Sequence, residues 1–462
     1  MVRMRITNLI ELSDLPLHIR TLIEKDLTLT NPEYTKAVKQ GRSTYNKPPT
    51  IKLYRYEGET LILPRGYGKK LTRFFNAQNI AYTVDDQRLI LPRVELHSRI
   101  QTRDYQETAV RKLVKHQQGG VVAPCGAGKT QILLEAMARI GQPALWVTHT
   151  RELAEQVIKR ATDVLDLEPD EIGRIYGGEL TVGKRFTVAL VQTLSRINLD
   201  EIKDRFGAVL VDEAHHMAAA QFFHPVGQFP ARYRLWASAT PTRADGLTDM
   251  VFAAGGPILY QIGQHEIEQT VTPGLEVIET DFDFIGDSYT STISAMTEDA
   301  ARNRLIVNTV KKHAPGHYSL ILSERTEHLI TLQTVLRHAL PDLRIEILHG
   351  KLPKKQREAI MQAAINREID ILLATQLARE GLDLPHLDRL FLTLPKRAAA
   401  AVQQEVGRVM RPAPGKTSAL VIDLWDSQCP LVRGQWWARR SVYQRLGMSV
   451  QMGRRKDANA AL

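Results

Sequence analysis

The sequence predicts an α/β protein of two tandem lobes, each a parallel sheet flanked by helices, preceded by a small α+β module. Three observations carry this. From Gln106 to about Tyr260, short apolar runs alternate with amphipathic stretches: GGVVAP with QILLEAMARI, ALWVTH with ELAEQVIKRATDVL, then FTVALVQ, FGAVLVDE and RLWASAT. Strands that are apolar throughout are covered on both faces, which is the condition of a parallel sheet between two helix layers. A like series restarts near Leu320 with SLILSE and continues through RIEILHG, DILLAT, RLFLTL and SALVIDL. Before Pro92 the texture differs, with short β-like runs such as IKLYRYEGETLILPRG punctuated by Pro and Gly, as in a small mixed module.

These changes of pattern divide the chain into a module at 1–95, a first lobe at 96–265, a polar connecting or inserted segment at 266–304, a second lobe at 305–430 and a basic tail at 431–462. Three domains agree with 462 residues at roughly 150 per domain. The two cysteines, Cys125 and Cys429, exclude a disulfide framework and a cysteine zinc site, and fit a reducing compartment. The N-terminus lacks a sustained apolar core, and nowhere do ~18 apolar residues run together, so the expectation is an untethered cytoplasmic or otherwise intracellular protein. The net charge of +10 sits at the ends. Ten basic residues face three acidic ones from Asn31 to Ile80, and seven face none from Leu431 to Lys456, which leaves the middle slightly acidic. Basic segments of this kind suit a phosphate backbone.

The chemistry begins at VVAPCGAGKT, Val121 to Thr130, a buried strand that turns through glycines into a helix. Pro124, Cys125, Gly126, Ala127 and Gly128 form a loop whose N–H groups can close around phosphate oxygens, with the positive end of the following helix aimed at the same anion. Lys129 then meets the β- and γ-phosphates of a nucleoside triphosphate, and Thr130 is a ligand for Mg²⁺. Ala123 stands where the usual pattern has its first glycine. In AVLVDEAHH, Asp212 and Glu213 follow four apolar residues. Asp212 is placed to organise the metal through water, and Glu213 to accept a proton from the water attacking the γ-phosphate. Adjacent histidines at His215 and His216 point differently and form no evident metal cage.

DEAH, Asp212 to His215, with the glycine loop, resembles motifs II and I of superfamily 2 helicases and translocases. RDYQ resembles their Q motif, THTRELAEQ motif Ia, VQTL a neighbouring strand-contact motif, SATPTR motif III, ATQLAREGLDLP motif V and QEVGRVMR motif VI. The resemblance spans roughly Arg103 to Asp423 and implies two RecA-like domains driven by ATP and Mg²⁺. It implies that Gln106 reads the adenine edge with Arg103 nearby, and that Gly381 and Asp383 border the ribose and phosphates. It implies nucleic-acid contacts from Thr150, Arg151, Gln192, Thr193 and Thr375. Gln404, Arg408 and Arg411 belong to motif VI. Arg408 and Arg411, three apart on a helix, can face one direction and act as arginine fingers when the lobes close. SERTEHLITL and LHGKLPKKQRE resemble the XPB and UvsW branch, which implies 3′ to 5′ movement on DNA in repair, recombination or branched-DNA processing. The Arg-Glu-Asp signature of the XPB proteins is not present in the chain.

The N-terminal module looks like the DNA-binding segment of UvsW-type proteins. Its own residues point the same way: Lys52, Arg55, Lys69 and Lys70 can neutralise phosphates, while Tyr45, Tyr54, Tyr56, Tyr67, Phe74 and Phe75 offer stacking faces, about half of them in the core. Alternation in IKLYRYEG puts Lys52, Tyr54 and Tyr56 on one strand face and Leu53 and Arg55 on the other. Trp436 and Trp437 either anchor the C-terminal tail or stack on bases. The expected activity is an ATP-driven DNA helicase acting on single-stranded, forked or branched DNA. The alternatives are a duplex translocase that separates no strands, an RNA helicase, and a nucleic-acid-binding scaffold with an inactive ATPase.

Overall fold

Three larger sheets and one two-stranded sheet account for the strands of the computed structural model. It describes the chain apart from residues 125, 215–219, 240–246, 264–265, 268–270, 287, 376–383, 397–398 and 454–462, and the side chains of 220–223, 400 and 451–453. The chain divides into two units, Met1–Glu266 and Ile267–Leu462.

The first unit holds two sheets. In the N-terminal module the strands run Arg55–Glu57, Thr60–Pro64, Leu9–Ser13, Val2–Ile6 and Tyr82–Asp86, antiparallel except for the last pair. Val2, Met4, Ile10, Leu12, Leu61 and Leu63 alternate onto one face, where Ile19 and Ile23 of helix Leu17–Asp26 and Leu71 and Phe75 of helix Gly68–Ala77 cover them. The first lobe is an eight-stranded sheet in the order Glu179–Leu180, Gly173–Tyr176, Phe186–Leu190, Ala144–Thr148, Ala208–Asp212, Tyr233–Ser238, Gln118–Val122 and Ile258–Gln261. Every neighbouring pair is parallel except the first, as continuous apolar strands require.

IKLYRYEG does not make one strand. Thr50–Lys52 pairs with Thr28–Thr30, whereas Arg55–Glu57 pairs with Thr60–Pro64 in the module sheet. Between them Leu53 packs against both the module core and the first-lobe core, with Leu29 and Ile51 also on the latter. Burying Leu53 against two cores outweighs local alternation, so the expected faces do not form.

The module is also not separable from the lobe. Two buried arginines join them. Arg65 donates to Ala231 O at 2.7 Å, Thr7 O at 3.2 Å and Gln118 Oε1 at 2.8 Å. Arg234, on a lobe strand, donates to Ala254 O, Phe229 O and, at 3.4 Å, to the module's Asn8 O. Burial pushes the Arg65 guanidinium well below its ordinary range, with the charge of Arg234 adding to this, and burial brings Arg234 down to about 10. Carbonyl oxygens, rather than a carboxylate ion pair, accept from both side chains, while Arg65 Nη2 and Arg234 Nε have no hydrogen-bond partner among the described residues.

The second unit is a seven-stranded, all-parallel sheet in the order Ile345–Leu348, Ile371–Ala374, Ser319–Leu322, Arg389–Leu392, Leu420–Trp425, Gly274–Glu279 and Val450–Gly453. One expectation gives way here. Residues 266–304 are no connector, because Gly274–Glu279 is an interior strand and Arg302 is tied to Asp426 at 2.8 Å, both side chains being 1% exposed. The basic tail is anchored through Trp436, one of the two readings its tryptophans allowed. Helix Gln435–Arg445 seats Trp436, Val442 and Tyr443 in the core, and Val450–Gly453 supplies an edge strand. Each strand is short and set in a segment that is polar overall, and pairing with strands distant in the chain recruits it.

Candidate nucleotide site

The phosphate loop lies between strand Gln118–Val122 and helix Lys129–Ile140. Its shape depends on two glycines in the left-handed region, Gly126 at φ 86° and Gly128 at φ 79°. A Cβ on Gly128 would stand 2.4 Å from Gln106 Nε2, so backbone strain and space both demand glycine. Gln106 is the brace of the loop. Its Nε2 donates to Ala127 O at 2.9 Å, and its Oε1 accepts from the Arg103 N–H at 3.0 Å, capping its own helix Asp104–His116. It is buried. Arg103 lies against Tyr105, donating to its hydroxyl at 3.0 Å. Pro124 O accepts from the Ala127 N–H at 3.2 Å, closing the turn, and Ala123, fully buried, donates its N–H to Ser238 O on the neighbouring strand.

Asp212 ends strand Ala208–Asp212, one strand away from the loop. Thr130 Oγ1 donates to Asp212 Oδ2 at 3.4 Å, and the Glu213 N–H donates to Asp212 Oδ1 at 2.9 Å. Glu213 sits at φ 53°, a conformation rare for a side chain of this size, and its Oε1 is 3.6 Å from Lys129 Nζ. Burial, then the neighbouring Glu213 charge, push the Asp212 carboxyl up to about 6 against the pull of Lys129. A hydroxyl, two carboxylates and an ammonium therefore converge beside an anion-binding loop, and the raised Asp212 is a carboxylate short of positive charge. The hydroxyl and carboxylate oxygens of that set fit a hard divalent cation.

At the same sheet edge the ends of the paired strands Ala144–Thr148 and Phe186–Leu190 bring four more residues together. Thr150 caps helix Arg151–Val164 through the Leu153 N–H, and Arg151 lies over the Tyr176 ring at 6.0 Å. Gln192, in the short helix Val191–Leu194 with Thr193, donates to His149 O at 2.9 Å and so ties the two loops. In the module, Lys70 pairs with Asp26 at 2.6 Å and Arg55 with Glu57 at 3.0 Å. Lys52 lies over Tyr54, and Lys69 is exposed. Of the aromatics, Tyr67 and Phe75 are core and Tyr45 and Tyr56 are exposed.

In the second unit Gln404 and Arg408 lie on helix Ala399–Val409, whose Val402, Val406 and Val409 are in the core, and Arg411 follows it. Thr375 is buried just after strand Ile371–Ala374. Sequence reasoning missed Lys416. Its Nζ donates to Arg411 O at 2.8 Å and Pro385 O at 3.2 Å, joining the end of the Arg408 helix to the end of ATQLAREGLDLP. A lone lysine after a Pro-Gly turn gives no pattern to find. Cys125, His215, His216, Gly381, Asp383 and most of SATPTR lie outside the described residues.

Residues 99–243 match the family model for the type III restriction enzyme res subunit, and residues 301–413 that for the helicase conserved C-terminal domain. The chain is 28% identical over 369 residues to a protein of Acanthamoeba polyphaga mimivirus named as an ATP-dependent RNA helicase, covering 76% of this chain and 69% of that one. It is 26% identical over 336 residues to a Haloarcula marismortui protein named as the DNA 3′-5′ helicase Rad25, covering 69% and 52%. The chain thus spans between about half and two thirds of the length of these curated relatives. Among solved structures, S. cerevisiae Dbp5 bound to RNA and ADP BeF3 superposes with a TM-score of 0.55 at 15% identity, over 76% of this chain and 89% of that one, a likeness of fold.

Proposed function

Since the chain belongs to the superfamily 2 helicases, ATP-dependent enzymes, in their XPB/UvsW-like branch, we propose that it is a DNA helicase coupling ATP hydrolysis to 3′ to 5′ movement along one strand. Forked or branched DNA in repair or recombination is the substrate this reading favours. The observation that supports a working motor is the convergence of Lys129, Thr130, Asp212 and Glu213 beside the glycine loop.

Lys129 and the loop N–H groups hold the β- and γ-phosphates, and Gln106 keeps the loop in shape through Ala127 O. Thr130, and Asp212 through water, are the residues that would hold Mg²⁺, which would supply charge neutralisation at the phosphate oxygens. Glu213 takes a proton from the attacking water. Arg408 and Arg411 supply cations for the transferring phosphoryl group, and Gly381 and Asp383 border the nucleotide. Thr150, Arg151, Gln192, Thr193 and Thr375 grip the strand, aided by Lys52, Arg55, Lys69 and Lys70.

ATP turnover measured with single-stranded DNA, duplex, fork and RNA tests this. Stimulation by DNA above RNA, with release of a labelled strand from a fork, is the expected result. RNA stimulation equal to or above that by DNA favours the second reading, an RNA helicase, which the name of the mimivirus relative supports. Protein displacement without strand release means a duplex translocase. Turnover unchanged in Glu213→Gln refutes the catalytic assignment.

A further inference from the structure

Helix Gln435–Arg445 carries the same pair of residues twice, and only one copy is used by the fold. Trp436 is buried, stacked on Trp425 with ring centroids 5.8 Å apart, and Arg439 lies over its ring at 5.8 Å while donating to Asp423 at 2.8 Å. One residue further along, Trp437 is 57% exposed and Arg440 lies over its ring at 5.4 Å. The inner pair is anchored by a buried carboxylate. In the outer pair Trp437 faces water, Arg440 is half-buried, and Arg440 makes no ion pair among the described residues.

We propose that Trp437 and Arg440 form a stacking site for single-stranded nucleic acid, a base on the open face of the indole and its phosphate on the guanidinium. This rests on the helicase reading above. Leaving a large indole in water is unfavourable unless something covers it, and its surroundings say what. Its exposed neighbours on the helix, Ala438, Ser441, Gln444 and Arg445, include no large apolar group, and the nearest exposed one along the chain before it, Leu431, precedes the helix. A protein hot spot would have an apolar core at its centre. No acidic residue occurs from Leu431 to Lys456, so the segment complements a polyanion. An aromatic face beside free guanidinium donors is the chemistry of base stacking with phosphate neutralisation. Trp436, Val442 and Tyr443 of the same helix pack in one core with Val402 and Val406 of the helix bearing Arg408, so a strand held here bears on the element that carries the proposed arginine fingers.

Tryptophan emission reads the site directly, since Trp146, Trp236 and Trp436 are buried, Trp425 is half-buried and Trp437 alone among the five is exposed. Titrating the full chain with an oligo-dT should quench emission, and Trp437→Phe should remove most of that quench. By fluorescence anisotropy of labelled oligo-dT, Trp437→Ala should weaken binding about tenfold, in the range of one lost stack, and Arg440→Ala should weaken it and flatten its salt dependence. Undiminished affinity and quench in both variants, while oligo-dT binds the wild type, overturns the stacking site and leaves the helicase reading intact. Quench by a polyglutamate peptide but not by oligo-dT also overturns it, in favour of an acidic protein partner. Absence of oligo-dT binding and of DNA-stimulated turnover in the wild type refutes the parent reading.

Discussion

Replacing Asp212 with Asn should abolish ATP turnover and yet make the nucleotide-free protein more stable at neutral pH. The Asp212 carboxyl is raised from 3.8 to about 6, first by burial and then by the Glu213 charge beside it. At about 1.4 kcal/mol per pH unit, holding it ionised above pH 6 carries up to ~3 kcal/mol of unfavourable free energy. Solvent reaching the partly open site and the attraction of Lys129, which Asn also forfeits, reduce the expected gain to about 1–2 kcal/mol. The sign follows from proton binding. Between about pH 4 and pH 6 the folded state holds a proton that the unfolded chain has released, so stability from this group is full near pH 4 and lost as pH rises through 6. Asn keeps an acceptor for the Glu213 N–H, so packing is conserved. Thermal unfolding without Mg²⁺ or nucleotide should therefore show the variant roughly 3–6 °C above wild type at pH 7.5, with the difference shrinking at pH 4.5. Mg²⁺ should stabilise wild type more than the variant. An equal shift at both pH values, or none at pH 7.5, would refute the account of Asp212 as a carboxylate waiting for a cation.

Three further outcomes follow from the same geometry. Arg408→Ala and Arg411→Ala should each lower kcat by ~10³-fold or more while leaving affinity for a fluorescent ATP analogue near wild type, checked by single-turnover kinetics and nucleotide titration. Arg65→Ala strands Ala231 O, Thr7 O and Gln118 without their donor, and should destabilise the first unit by about 2–4 kcal/mol in urea unfolding. Truncation at residue 92 should accordingly reduce basal ATP hydrolysis along with DNA binding. Burial lowers Lys416 to about 8, so the folded protein loses this proton before the unfolded chain does. Stability from this group therefore grows between about pH 8 and pH 10.5, whereas its bonds to Arg411 O and Pro385 O weaken. Turnover should fall above pH 8 with no matching loss of thermal stability, and Lys416→Arg should move that alkaline limb upward.

The two α/β lobes were legible because their strands are apolar on both faces, and a run such as AVLV at 208–211 has few other places to go. The glycine loop, with Asp212 and Glu213 beyond it, was legible because phosphate binding demands particular residue types at short spacing. Less of the rest could be read. Strand Gly274–Glu279, set in a segment that is polar overall, is interior only because Leu420–Trp425 and Val450–Gly453, both far later in the chain, flank it. In IKLYRYEG, alternation predicted one strand, and the double burial of Leu53 broke it in two. Trp436 and Trp437 are indistinguishable as neighbours in a string, and the helix turn alone sends one inward and one outward.

The chain thus determined by itself what depends on local chemistry: the glycines that let a backbone close on phosphate, the lysine and hydroxyl after them, and the carboxylates at the end of a buried strand. Tertiary structure decided what depends on distant partners. It made Gln106 the brace of the loop through Ala127 O, bound the N-terminal module to the first lobe through Arg65 and Arg234, and gave Asp212 a raised pKa by enclosing it beside Glu213. Burial and the alignment of a donor with a carbonyl are properties of the folded surroundings, and no spacing in the sequence encodes them.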